Sequence, residues 1–299
     1  MQVVRYVILS LSLGTIAVWG SENWFWFAPP SDLTLVTFGL TVLVYSLAAA
    51  CAVSAVILTG VRGWTAAFLG GAIVGYCAEG VVVGTIYDEF PIYMVWTPLA
   101  WHALLTGGVV LGLGRADLTP LWRTAVWLAF GLFGSYWAQY WPAERPGLTG
   151  GAPLALYLIG AGGLVVAAQL VLDRIGDLPR PRLAVLLVAP GLVALVWLWQ
   201  TVTGFVPQRL ALPAVLLLIV WMMRRAGRAA TGPDLGHRAG WQHGLFLIAP
   251  LTATALAPIL WAQDLGTLAA NWVTLIVTAL LSLGALARLA YCAVRPAAR

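Results

Sequence analysis

Ten apolar stretches, each long enough to cross a hydrocarbon core about 30 Å thick, follow one another along the chain, at residues 3–20, 34–59, 64–87, 92–113, 121–141, 152–172, 183–203, 207–223, 241–262 and 268–293. The polar connections between them are short. This pattern predicts an all-α, polytopic integral membrane protein of about ten transmembrane helices. It forms a single transmembrane domain over residues 1–299 with no soluble domain. Short connections also predict a meander of antiparallel neighbours. The first stretch has the basic start and apolar middle of a signal peptide, but Val18-Trp19-Gly20 is a poor small-residue cleavage site. It is therefore read as a retained helix.

Charge adds orientation. All sixteen basic residues are arginine. All but Arg145 and Arg209 fall at alternate ends of the ten stretches, whereas Glu22, Asp32, Asp88, Glu89, Glu144 and Asp264 fall at the other ends. The positive-inside rule then predicts cytoplasmic N and C termini and a multi-pass protein of the cell (inner or plasma) membrane. The absence of lysine excludes Schiff-base chemistry through that residue.

Composition agrees. The chain is 61% hydrophobic and 9% charged, with a mean hydropathy of +0.91, against about 25% charged residues in a soluble domain. With no soluble basic domain, nucleic acid is not an expected partner; membrane lipids, an apolar or lipid-borne substrate and other membrane proteins are. Cys51, Cys77 and Cys292 lie in apolar stretches with no CxxC spacing, so neither a disulfide framework nor a metal site is expected. His237 and His243 are six apart, which does not place them on one helix face. No cofactor fingerprint occurs. The Arg224–Arg228 cluster reads first as an orientation signal, and otherwise as a contact for anionic headgroups.

The candidate chemistry sits in the hairpin between Gly63 and Gly114. Its two stretches are joined by the turn Tyr87-Asp88-Glu89-Phe90-Pro91. Glu79 lies ten residues before Glu89 and His102 thirteen after it. At about 1.5 Å per residue, both sit roughly 15–20 Å below the turn, near the middle of the bilayer. An ionisable group there costs about 2.5 kcal/mol or more to insert and marks a functional site by default. A facing carboxyl and imidazole can hold or relay a proton. The alternative is structural: Glu79 as a neutral acid bonded across helices to a Thr, Tyr or carbonyl, and His102 as packing under Trp101. Asp88 and Glu89 are expected at the mouth of the site, or as caps of the turn. Pro98, one turn before His102, frees a backbone carbonyl near the pair. Gly70, Gly71 and Gly75, with Gly107, Gly108 and Gly112, allow close helix approach.

Sixteen tryptophans are many for this length. Trp24, Trp26, Tyr76, Trp96, Trp101, Trp137 and Trp261 are candidates to line a cavity for a flat or chain-like apolar molecule, the alternative being an interfacial aromatic belt. Trp-Ala-Gln occurs twice, at Trp137–Gln139 and Trp261–Gln263, with no longer repeat around it.

Span number, length and Trp19-Gly20-Ser21 resemble the drug/metabolite transporter class, but its duplicated halves are missing. Glu79 followed by Pro98-Leu99-Ala100-Trp101 is similar to integral membrane carotenoid hydratases, without their other acidic and aromatic motifs. No residue role is carried over from either. The expected function is an intramembrane enzyme acting on a lipid or isoprenoid-like substrate at a Glu79/His102 site opening toward the non-cytoplasmic face. The alternatives are a proton-coupled small-molecule transporter that protonates Glu79, and a non-catalytic subunit of a larger membrane complex.

Overall fold

The computed structural model describes residues 1–22, 34–140, 150–228, 234–263 and 267–294. Ten principal helices run through them: α1 Gln2–Ala17, α2 Leu35–Thr59, α3 Gly63–Cys77, α4 Ile92–Val95, α5 Pro120–Trp137, α6 Ala152–Ile175, α7 Leu183–Thr203, α8 Ala211–Gly227, α9 Ile248–Ala262 and α10 Thr267–Val294. Three are continued by wider, i→i+5 winding, α1 over Val18–Glu22, α3 over Ala78–Val83 and α4 over Trp96–Leu113. No strand occurs among the described residues. Nine helices among those residues are long and apolar enough to cross a membrane, so the chain is a multi-pass, all-α membrane protein. The expected fifth span is the helix α5, which is not among the nine. Arg123, Pro120 and three tryptophans make it less apolar than its neighbours.

Local sequence explains the ends. Thr34 caps α2 through a reciprocal exchange with Thr37, and Thr119 caps α5 ahead of Pro120, each satisfying amides that have no carbonyl partner within the helix. The expected stretch 64–87 stops being helical at Val83. Gly84 takes φ +92°, a backbone state that costs a residue with a Cβ, and turns the chain back on itself.

Burial orders the helices. The window within Gly63–Val83 is 83% buried by the protein itself, whereas those of α7 and α10 are 17% buried and leave their leucines and valines exposed, as lipid-facing helices do. The centre is therefore the α3–α4 hairpin. A Cβ on Gly71 would lie 2.3 Å from the His102 carbonyl oxygen, and one on Gly107 2.2 Å from that of Ala67. The two backbones touch, as the glycine pattern predicts. Around them α1 packs on α2, α2 and α8 on α3, and α10 on α4.

The arrangement is not a simple meander. Helix α1 also packs on α6, and α9 lies against α5 and α6. The two Trp-Ala-Gln fragments meet there, where the Trp261 indole donates to the Ala138 carbonyl at 2.6 Å.

Candidate functional site

Glu79 and His102 face one another across the hairpin. His102 Nε2 lies 3.5 Å from Glu79 Oε1, with side chains 1% and 8% exposed. Gly75 makes the approach possible: a Cβ there would stand 2.6 Å from Pro98 Cα and 2.9 Å from His102 Cβ. Two further groups reach the carboxylate. The Thr85 hydroxyl donates to Oε2, and Tyr45 of α2 contributes a side-chain hydrogen bond. The Tyr45 ring also packs on the His102 ring, with centroids 5.6 Å apart. One carboxylate is thus held by an imidazole, a phenol and an alcohol from three segments of chain. Such a set can bind a proton, fix its position and pass it on. The proposed structural contacts to a Thr and a Tyr are present together with the histidine, not instead of it.

The turn itself differs from a tight surface loop. Gly84 sends Thr85–Tyr87 back over the end of α3, which buries Ile86, puts Thr85 on Glu79 and lets the Tyr87 hydroxyl donate to the Gly80 carbonyl at 2.8 Å. Irregular backbone is tolerated at such a position because protein surrounds it. Glu79 is four residues from the helix end at Val83, so the pair lies closer to the turn than the expectation of ten residues to its centre. Asp88 and Glu89 stay exposed on the turn. Among the described residues, neither has a side-chain hydrogen bond or ion pair that brings it to Glu79.

The aromatic candidates pack as a plug. Trp101 packs edge to face on Trp96 and on Trp137, which are tilted against each other, with centroids 4.7–5.9 Å apart. Tyr76 donates to the Met94 carbonyl at 2.8 Å. Trp24 and Trp26 lie outside the described residues, as do Glu144 and Asp264. Among the described candidates, Trp96, Trp101 and Trp137 are packed against one another and Tyr76 against a backbone carbonyl. A cavity of about 420 Å³ lies elsewhere, walled mainly by α1, α2, α3 and α4 with Leu172 of α6 and the loop residues Asp234–Gly236 at its end, and Trp64 is the tryptophan that lines it. No family model, curated protein or solved structure matches the chain.

A second polar cluster escaped sequence reading. At the arginine end, Asp173 binds Arg115 at 2.9 Å, His243 at 3.1 Å and the Gly240 amide at 2.9 Å. Gln169, one turn earlier on α6, accepts from Arg115 at 3.1 Å and donates to the Val110 carbonyl. Arg115 also donates to the Leu235 carbonyl. Burial pulls the Arg115 guanidinium below its ordinary pKa, and Asp173 opposes the shift. Arg123 donates to Gln242 and to the Gly114 and Ala116 carbonyls, and Arg62 pairs with Asp234 at 3.1 Å. The available signal was Gln169 and Asp173 at i, i+4, a shared helix face. This cluster ties α4, α5, α6 and the approach to α9 together at one end. Among the described residues, no three His, Cys, Asp or Glu side chains stand close enough to share a metal ion.

Proposed function

We propose that this protein is an intramembrane enzyme acting on a lipid or isoprenoid-like substrate, with Glu79 exchanging the proton and His102 as its acid–base partner. The observation that supports this reading is the buried carboxylate–imidazole contact of 3.5 Å, held by Thr85 and Tyr45. An ionisable pair built from three segments inside a membrane domain is costly to maintain, and a proton-handling role accounts for it. Tyr45 and Thr85 orient the carboxylate, so the proton has a fixed direction of transfer. The pair lies beneath the turn that carries Asp88 and Glu89. By the positive-inside rule, the turn side is non-cytoplasmic and both termini are cytoplasmic.

The deciding experiment is mass spectrometry of membrane lipids from native cells carrying wild type or Glu79→Gln at matched expression. The expected result is loss of one lipid with accumulation of its precursor, and the mass difference names the reaction. An unchanged lipid profile with a folded variant overturns the reading.

One observation favours a second reading. The cavity lies on the arginine side of the pair, and the folded-back turn closes the other side. A binding space reached from one face, next to a protonatable carboxylate, is what a proton-coupled transporter shows in one of its two states. Proton flux into proteoliposomes that depends on Glu79, together with unchanged lipids, would select it.

A further inference from the structure

The cavity has a definite shape relative to the pair. Its inner wall is made by Ala49, Gly71, Val74 and Thr106. Ala49 is one helical turn beyond Tyr45, and Thr106 is one turn beyond His102. Gly71 lies against the His102 backbone. From there the space runs past Gly70 and Gly107 to Gly63, Leu113 and Arg115 at the arginine end. Eleven residues of α3 separate Gly63 from Val74, a length of roughly 16 Å. The indole of Trp64 forms one wall. Its Nε1 donates to the Gly108 carbonyl at 3.0 Å, and a Cβ on Gly112 would touch the ring at 2.8 Å, so the ring's N–H edge lies against α4.

The wall is apolar apart from Thr106 at its inner end and Arg115 and Asp234 at its mouth. Both are charge-balanced: Arg115 by Asp173 and Asp234 by Arg62. Among the described residues that line the mouth, each charged side chain therefore has an opposite charge beside it. The volume of about 420 Å³ lies at the small end of ligand sites, which run from about 300 to 1,000 Å³.

We infer that this cavity binds the hydrocarbon chain of a single-chain amphiphile with a small, uncharged head. One end of the chain lies about a helical turn from Tyr45 and His102. This names the substrate class of the proposed reaction and rests on that reading only for the chain being a substrate. Occupancy is independent of turnover. A narrow space takes one chain, and the balanced mouth accommodates a hydroxyl or carbonyl head through hydrogen bonds.

Photo-crosslinking of the purified full-length protein in nanodiscs tests this. The probes are a diazirine-bearing palmityl alcohol, a diazirine-bearing geranylgeraniol and a diazirine-bearing diacyl phosphatidylglycerol. The key variant is Gly70→Leu: a Cβ there meets only the Ala52 methyl at 3.8 Å, so the side chain fills the cavity without displacing backbone. Gly39→Leu on α2, whose Cβ meets nothing within 4 Å, is the control. Expected is labelling of residues 49–74 and 106–113 by one or both alcohols, at least fivefold weaker in Gly70→Leu and unchanged in Gly39→Leu. Whichever alcohol labels more tells an acyl from an isoprenoid source. Equal labelling of wild type and Gly70→Leu overturns the inference. So does labelling confined to lipid-facing α7, or labelling of the cavity by the diacyl probe alone. Should Gly70→Leu not elute as the wild type does, Val56→Phe at the mouth replaces it. Glu79→Gln separates the two readings: labelling kept with turnover lost supports both, whereas labelling kept with unchanged native lipids removes the enzyme and leaves the binding site.

Discussion

Among single residues, Glu79 carries the largest expectation because its carboxylate has three different partners and almost no solvent. Removing a general acid or base costs about 10²–10⁴-fold in rate. Glu79→Gln keeps the volume and the hydrogen bonds of one oxygen. It is expected to lose product by at least about a hundredfold while its thermal unfolding in detergent stays near that of wild type. Tyr45→Phe removes one hydrogen bond to a charged group, worth about 1.5–3 kcal/mol. It is expected to lower turnover by about tenfold or more, with the ring still packed on His102. Equal turnover in wild type and Tyr45→Phe would remove Tyr45 from the site. The sequence shows Glu79 and His102 plainly, because ionisable letters in apolar stretches stand out. It does not show Tyr45, which is one of nine tyrosines and which only the rotation of α2 against α3 turns toward the carboxylate.

At the scale of elements, the hairpin decides the site. Helices α3 and α4 approach until Gly71 and Gly107 meet backbone carbonyls. Gly71→Ala drives a methyl into the His102 carbonyl and is expected to destabilise the protein by roughly 1–3 kcal/mol, read as a lower midpoint of thermal unfolding in detergent. Gly39→Ala, on the open face of α2, is expected to hold or raise that midpoint, since alanine favours a helix interior by about 0.5–1 kcal/mol over glycine. An equal loss in both would show that helix contact is not what Gly71 provides. The glycine pattern is legible in the sequence as a capacity for close approach. That Gly84 ends the helix and folds Thr85 onto Glu79 is not legible, because a glycine in an apolar run reads equally as packing, and the expected stretch accordingly ran on to Tyr87.

For the whole molecule, two features are testable. The arginine end is joined by the buried Arg115–Asp173–His243 cluster. Removing one member of a fully buried pair leaves an uncompensated charge, at about 3–5 kcal/mol, an upper bound for the partly buried Asp173. Asp173→Ala is expected to unfold far earlier than wild type and Asp117→Ala, at an exposed aspartate, to unfold with it. The proposed orientation rests on which end carries the arginines. In a cysteine-free background, a cysteine at Asp88 is expected to react with an impermeant maleimide added outside intact cells. One at His237 is expected to react only after the membrane is opened. The reverse pattern would invert the proposed topology. The cluster was hidden because Asp173 and His243 are seventy residues apart and look like ordinary edge residues until α6 and the approach to α9 are side by side.

The sequence by itself determined the class of molecule. Long apolar stretches cannot remain in water, backbone amides in lipid must bond within helices, and arginines mark one set of ends; these are local properties, summed along the chain. It also determined that Glu79 and His102 are the ionisable pair to examine, and that two glycine-rich faces could touch. The tertiary structure decided the rest. Helix rotation chose Tyr45 and Thr85 as the partners of Glu79, and non-sequential packing set α6 beside α1 and α9 beside α5. Side-chain volume packed Trp96, Trp101 and Trp137 against one another and left a space among small residues elsewhere. Each of these depends on how one helix face meets another, and hydrophobic periodicity cannot specify that in a membrane, where lipid and protein faces are alike apolar.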